Sequence, residues 1–341
     1  MQSPKKKGNY FFGQILNIRR TIFILKHYLP GDNLMKLDNL KAFCVAVESG
    51  SISKAARKLY ISQPSLSVKI QELENYYEAK LFHRTNRGIN PTEAGLIVYD
   101  YAKKMLTLSD SVERSLEQTN NETQQLIVGT SSTIGNFALP CTVYNFNEKY
   151  PHYKVSLIIS NTDKVLSNLI THKVDLGLIE GPVTRELKNT LLQEGINTRS
   201  IITNALILVV PNNETWQNIS RIHLEQIKEL PIIVREEGSG IRSTLQLALS
   251  KHHIQFDDLN IIMQLNSTNA IISAVASGKG VSFLPKIAVR KELHYRICKE
   301  IKVENTVFRH HFTTLYYDND NQNPIQKTFL DFLHSPERGF C

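Results

Sequence analysis

Residues 50–74 read Gly50-Ser-Ile-Ser-Lys-Ala-Ala-Arg-Lys-Leu-Tyr-Ile-Ser-Gln-Pro-Ser-Leu-Ser-Val-Lys-Ile-Gln-Glu-Leu-Glu74. The stretch predicts two short helices joined by a tight turn. Ser53 is expected to cap a helix carrying Ala55, Ala56 and Leu59. Ser62 is expected to cap the next, with Pro64 in its first turn, where a missing N–H costs nothing. Leu66, Ile70 and Leu73 then follow at spacings of four and three, one apolar stripe. The other face shows Gln63, Ser65, Ser67 and Lys69. A small, amide-bearing and cationic face beside a buried stripe suits a helix that enters a DNA major groove.

The flanks extend this unit. Leu37 to Val47 predicts a preceding helix, with Leu37, Leu40, Ala42, Phe43, Ala46 and Val47 on its buried face. Residues 81–91, Leu-Phe-His-Arg-Thr-Asn-Arg-Gly-Ile-Asn-Pro, predict a two-stranded wing with its turn at Arg87-Gly88. Leu81 and Phe82 anchor it, Arg84 and Arg87 face phosphate, and His83 is a packing or capping residue. Thr92 caps a long helix with Glu93 in its first turn. Leu96, Tyr99, Ala102, Leu106, Val112 and Leu116 follow near-heptad spacing, with Ser109 in the gap. About 27 residues make a rod of roughly 40 Å, whose seam needs a partner helix or its own domain to cover it.

Charge agrees with an anionic partner at this end. The chain of 341 residues carries a net +8. Residues 1–35 contribute +5, residues 36–91 contribute +4, and the rest −1. Hydrophobic content of 41% is that of a globular protein, and no apolar run reaches the roughly 18 residues of a membrane span. The length predicts two or three domains. The four cysteines, Cys44, Cys141, Cys298 and Cys341, lie far apart with no CxxC pair. They predict small buried hydrophobes rather than a zinc site or disulfide framework, and a reducing cytoplasm. Residues 1–34 have an apolar stretch too short for a signal peptide, interrupted by Arg19 and Arg20, and are expected to form an extension outside any domain.

Beyond Asn120-Asn121 the pattern alternates. Strands are expected at Leu126–Val128, Val155–Ile159, Asp175–Ile179, Ala205–Val210, Ile232–Val234, Ile261–Leu265 and Val281–Leu284. Helices are expected from Gly129-Thr-Ser-Ser through Phe146, and at Val165–Ile170, Ser239–Ser250 and Thr268–Ala276. This is an α/β region with largely parallel sheets, large enough for two lobes. No Walker loop or GxSxG elbow is present. His252-His253 are expected on different sides of a helix, and His310-His311 on alternate faces of a strand. No enzyme, metal or cofactor is predicted.

Leu40-Lys-Ala-Phe, Gly50-Ser-Ile-Ser-Lys-Ala-Ala, Ile61-Ser-Gln-Pro-Ser-Leu-Ser, Leu81-Phe-His-Arg and Pro91-Thr-Glu-Ala-Gly together resemble the signature of LysR-type transcriptional regulators. The resemblance covers about residues 35–335. It implies a winged helix-turn-helix over 35–93, a dimerising linker helix over 92–120, and a two-lobed, periplasmic-binding-protein-like effector domain over 124–335. Lobe I is expected at about 124–203 and 305–335, lobe II at about 204–304. Implied partners are promoter DNA, further copies in a homodimer or homotetramer, RNA polymerase and a small-molecule effector. Gly129-Thr-Ser-Ser-Thr-Ile-Gly-Asn, Asp175-Leu-Gly-Leu-Ile-Glu-Gly-Pro and Arg235-Glu-Glu-Gly-Ser-Gly-Ile-Arg resemble the CysL-like branch, which points to sulfur assimilation.

Expected DNA contacts are Ser53, Gln63, Pro64, Ser65, Ser67, Lys69, Arg84 and Arg87. Gln63 and the serines read bases, Pro64 shapes the helix entry, and the cations hold phosphate. The effector is expected in the cleft between lobes. Thr130, Ser131, Ser132 and Thr133, then Ser239 and Gly240, then Ser267 and Thr268, each precede a helix. Converging helix starts suit a small anion, whereas any one alone is ordinary capping. Glu180 and Pro182 either line the cleft or form a loop, and Arg242 either pairs with the anion or faces solvent. The rival classes are a solute-binding or transport protein and an architectural DNA binder without ligand.

Overall fold

The computed structural model describes residues 35–85, 88–119, 123–317 and 323–341. The expected extension over residues 1–34 lies outside them. So do Arg87, the expected helix end at Asn120-Asn121, and the side chain of Arg84. Two compact units meet at Leu106 and Thr107.

The first unit begins with α1 (Leu37–Ser49), α2 (Ile52–Lys58) and α3 (Gln63–Tyr77). Gly50 ends α1 at φ +59°, a left-handed conformation that glycine adopts without a Cβ penalty. The cap of α2 is Ser51 rather than Ser53: the Lys54 N–H donates to Ser51 Oγ at 3.4 Å. The turn after Gly50 places Ser51 in extended backbone, so the helix starts two residues earlier than the serine spacing suggests. Ser62 caps α3 as expected, accepting from Ser65 N at 3.2 Å. Leu40, Phe43, Ala46, Ala55, Leu66, Ile70, Leu73 and Leu81 close one core. Leu37 instead stays exposed and Cys44 takes a buried place. Burial pushes the Cys44 thiol up to about 11, with Glu48 adding to it, so Cys44 packs as a hydrophobe and is no nucleophile.

β1 (Phe82–Thr85) and β2 (Gly88–Pro91) pair antiparallel, Arg84 opposite Ile89, and make the wing. Ile89 N donates to Gly50 O at 3.1 Å, which ties the wing to the end of α1. Thr92 accepts from Gly95 N at 2.9 Å and so caps α4 (Glu93–Thr119). The expected seam is divided. Tyr99, Ala102 and Leu106 pack into the winged-helix core. Leu96, Ile97, Tyr101, Leu108, Val112 and Leu116 remain exposed. A heptad count alone does not separate the face that the helix's own domain consumes from the face left over.

The second unit runs β3 (Gln124–Ser131), a π-helical turn (Ile134–Ala138), α5 (Leu139–Lys149), β4 (Tyr153–Ser160), α6 (Thr162–Ile170), β5 (Leu176–Glu180), α7 (Arg185–Gln193) and β6 (Ile196–Pro211). It continues α8 (Glu214–Gln217), β7 (Arg221–Ile222), β8 (Ile232–Arg235), α9 (Gly240–Ser250), β9 (Ile261–Leu265), α10 (Thr268–Ala276) and β10 (Ser282–Pro285). It ends α11 (Arg290–His294), β11 (Cys298–Val303), β12 (Phe308–Tyr317) and α12 (Pro324–His334). The strand order is β4-β3-β5-β12-β6-β11-β7, with β10 on another stretch of β6, and β8-β9 pair separately. β3 is parallel to β4 and β5, and β8 to β9, as βα alternation requires. β6, β10, β11 and β12 pair antiparallel, so the sheets are mixed rather than largely parallel. β6 is sixteen residues long and, with β12, connects the lobes.

Each lobe has its own core. Leu126, Phe146, Leu178, Phe312, Phe329 and Leu333 fill the first. Leu208, Val210, Ile232, Leu245, Leu249 and Phe283 fill the second. Fully burying one such side chain contributes about 1.5–3 kcal/mol. The cysteine expectation fails for one pair. Cys141 and Cys341, 200 residues apart, form a disulfide with a Cα–Cα distance of 5.5 Å. The docking of the C-terminus beside α5, where Cys341 N donates to Ala138 O at 3.4 Å, creates that proximity; spacing in sequence carries no sign of it. His252 and His253 lie past the end of α9, in a turn where His253 has φ +60°, not on two sides of a helix. His310 is buried and His311 half-buried, alternating along β12 as expected. Among the described residues no helix is long and apolar enough to cross a membrane, and no three His, Cys, Asp or Glu cluster as a metal site would need.

Candidate DNA-reading face and effector cavity

The first turn of α3 projects Gln63, Pro64 and Ser65 as exposed residues. Ser67 and Lys69, further along, are half-buried. Ser53, displaced from its expected capping role, donates from Oγ to Gln63 Oε1 at 3.1 Å. That bond orients the amide. It leaves the Nε2 donors and one Oε1 lone pair, enough for a two-point contact to adenine. Tyr60, in the turn before α3, is 97% exposed at φ +56°. No spacing in the sequence marks it. A bulky residue held left-handed with its ring in solvent is a signal that only backbone geometry supplies.

In the second unit, helix starts meet at one cavity of about 720 Å³. Ser132 and Asn136 come from the segment after β3. Asn161, Asp163, Lys164 and Ser167 come from the start of α6, Asn266 and Ser267 from the start of α10, and Glu236 from the end of β8. Ser160, closing β4, also lines it, and its buried hydroxyl has no hydrogen-bond partner. The hydroxyls of Ser131, Thr133 and Ser239 are likewise buried without partners. A buried hydroxyl left unbonded costs about 1–3 kcal/mol, which makes this cluster poor as mere capping. Ser267 caps by side chain, accepting from Ala270 N at 3.3 Å, and so does Asn161, accepting from Lys164 N at 3.0 Å; Ser239 and Thr133 make no cap bond.

Of the eight expected effector residues, Ser132 and Ser267 line the cavity. Thr268 is buried just behind, 3.4 Å from Ser132 across the two lobes. Thr130 is bonded to Ser131 O, and Gly240 packs against the backbone of Glu180. Glu180 does not line the cavity. It is 2% exposed and bonds His310 Nε2 at 3.0 Å, while His310 Nδ1 meets Thr244 at 2.9 Å, a buried chain between the lobes. Pro182 lines a separate cavity of about 530 Å³ with Thr244, Lys251, His252, Arg309 and His311. Arg242 is held by Gln264, Glu237 and the Phe256 ring.

One cation behind this wall carries no signal in local sequence. Arg235, closing β8, is buried to 2% exposure. Its Nη1 donates to Ser132 Oγ at 2.8 Å and to Thr268 Oγ1 at 2.7 Å, one from each lobe. Its Nε and Nη2 grip the Glu236 carboxylate at 2.8 and 2.9 Å. With that pair neutralised, the charged lining left is Lys164 and Asp163, set among helix N-termini whose dipoles favour an anion.

Residues 119–336 match the model described as LysR substrate binding domain. Residues 37–96 match that of bacterial regulatory helix-turn-helix proteins of the lysR family. The chain belongs to the LysR family. It is therefore a DNA-binding transcriptional regulator of ligand-responsive type, and not an enzyme. A probable RuBisCO transcriptional regulator of Cyanidioschyzon merolae is 32% identical over 294 residues, 86% of this LysR chain and 95% of that protein. Full-length CbnR complexed with its target DNA shares the fold at TM-score 0.64, with 19% identity over 88% of this chain and 99% of that one. The Synechocystis CcmR regulatory domain in complex with 2-PG aligns at TM-score 0.54, with 22% identity over 62% of this chain and 95% of that one. These relatives correct the sulfur-assimilation branch. The phrases around Gly129 and Arg235 place Ser132, Asn136 and Glu236 on the cavity wall, and the phrase around Asp175 places none there, so they describe local structure and do not define the regulated genes.

Proposed function

We propose that this LysR regulator controls genes of carbon fixation, as the name of its algal relative suggests. We further propose that its effector is a small anion held between the lobes. The observation that carries the effector class is the meeting of three helix starts, at Ser132, Asn161 and Ser267, on one cavity wall beside the unpartnered Ser160 hydroxyl. The Ser132–Arg235–Thr268 tie, which spans both lobes, supports closure as the response. An anion shifts this balance only by binding the closed arrangement better than the open one. The stripe of Ile97, Tyr101, Leu108 and Val112 on α4 supports pairing of two chains, and a homotetramer in the cytoplasm is the assembly we assign.

In this reading Gln63, Ser65 and Ser67 read base edges, Pro64 sets the helix entry, Ser53 orients Gln63, and Lys69, Arg84 and Arg87 hold phosphate. We assign lobe I to about residues 124–203 with 305–335 and lobe II to about 204–304. The test is a footprint on a RuBisCO promoter with and without 2-PG, inorganic phosphate and small dicarboxylates. A footprint whose length or protection changes with one anion is expected. If none changes the footprint or the melting temperature, the sensor role is refuted. Gln63→Ala should relax base preference, while Arg87→Ala should weaken all duplexes and lower the salt slope by about one.

A further inference from the structure

We infer that Glu236 is a built-in counter-ion of the effector cavity, and that an effector must take Arg235 from it. This rests on the cavity reading just given and deepens it: the competition restricts the effector to dianionic oxyacids of the phosphate-ester class.

Arg235 has five N–H donors, and all five are used. Nε and one Nη2 proton grip Glu236, the other Nη2 proton reaches Asn266 O at 3.4 Å, and Nη1 serves Ser132 and Thr268. A cation this deeply buried needs an anion. Among its partners only Glu236 carries a negative charge, and Glu236 also lines the cavity. The two N–H bonds to one carboxylate are the same fork by which arginine binds a ligand's carboxylate or phosphate. Glu236 therefore occupies, from inside the chain, the place that an oxyanion ligand would take.

The two residues are not equally confined. The Arg235 side chain is 2% exposed and that of Glu236 19%. Glu236 has a path to water, so it is the member that leaves, and its carboxylate is hydrated once outside. Nη1 keeps Ser132 and Thr268 throughout, so the bridge between lobes survives the exchange.

Exchange selects the ligand. A monocarboxylate replaces one carboxylate by another and gains nothing to offset its own desolvation, with Asp163 also on the wall. A dianion with three oxygens takes the Arg235 fork and has an oxygen left for the Lys164 ammonium or the Ser160 hydroxyl. Glu236 thus sets a threshold that single carboxylates do not cross.

The test is calorimetric titration of the full-length protein and its Glu236→Gln and Glu236→Ala variants with 2-PG, inorganic phosphate and acetate. Both variants are expected to bind 2-PG and phosphate about tenfold tighter than wild type, equivalent to about 1.4 kcal/mol. They are also expected to bind acetate, which wild type ignores. The alanine variant guards against an amide that merely re-forms the bond, and melting curves establish that each variant is folded. If wild type binds 2-PG or phosphate and both variants bind no tighter, Glu236 is only a scaffold for Arg235; the counter-ion inference is overturned and the cavity reading stands. If no anion binds any of the three, or binding ignores Ser160→Ala and Lys164→Ala, the cavity reading falls and the inference with it.

Discussion

Gly240→Ala should unseat the two lobes from one another. Gly240 opens α9 in lobe II, and a Cβ there would stand 1.8 Å from the carbonyl oxygen of Glu180 and 2.5 Å from its carbonyl carbon, at the end of β5 in lobe I. Real contacts of this kind stay beyond 3.0 Å, so the two backbones must part by more than an ångström. Neither side is a flexible side chain that swings away. Gly181, next along, also packs on this contact, its own Cβ position lying 2.7 Å from Gly240 O and 2.8 Å from Gly240 Cα. Overpacking of this type costs about 1–3 kcal/mol. The same shift pulls Glu180 from His310 and His310 from Thr244, buried bonds whose loss adds about 1–3 kcal/mol. We expect about 2–6 kcal/mol in total, which lowers the melting temperature of a unit this size by roughly 10 °C. The assay is thermal unfolding of the full chain, with Gly278→Ala as control. Gly278 has φ +71° and open space around its Cβ position, so it carries only the left-handed strain, about 1–2 kcal/mol. A Gly240→Ala protein that melts within a degree of wild type and still answers its effector would refute the backbone contact and the hinge built on it.

Leu66→Ala, in the centre of the winged-helix core, should cost about 2–5 kcal/mol, whereas Val68→Ala, 54% exposed on the same helix, should stay within about 0.5 kcal/mol; denaturant titration separates the two. Glu74 is opposed by its partial burial, but the Lys80 hydrogen bond and the N–H groups of Leu81 and Phe82 outweigh that and hold its carboxyl below the ordinary 4.5. A depressed carboxyl stabilises the fold above that ordinary value and loses the contribution as pH falls through the lower folded value. Acid unfolding of Glu74→Gln should therefore show a shallower stability loss below about pH 4.5 than wild type. Cys341→Ser should lower the melting temperature of oxidised protein by the loss of a long-loop crosslink, about 2–4 kcal/mol, and added reductant should then have no further effect.

The sequence by itself determined the reader and the architecture. Ser62, Pro64 and the Leu66–Ile70–Leu73 stripe specify α3 because capping and 3.6-residue periodicity are local. The strand–helix alternation after residue 124 specified two α/β lobes for the same reason. Three hydroxyl-rich helix starts were legible, since each is a short run before a periodic segment. A fourth, Asn161-Thr-Asp-Lys, carries the same kind of signal with an amide in place of the hydroxyl.

Tertiary structure decided what those pieces do together. It moved the α2 cap to Ser51 and gave Ser53 to Gln63, because a turn's backbone angles choose between two nearby serines. It divided the α4 stripe between its own core and the outside. It brought Cys141 to Cys341, and it made Arg235 the link between Ser132 and Thr268 from strand and helix ends up to 136 residues apart. Local rules act over one or two turns. The neutralised cation behind the cavity wall arises only where distant chain ends converge and water is excluded, and no spacing along the chain encodes that convergence.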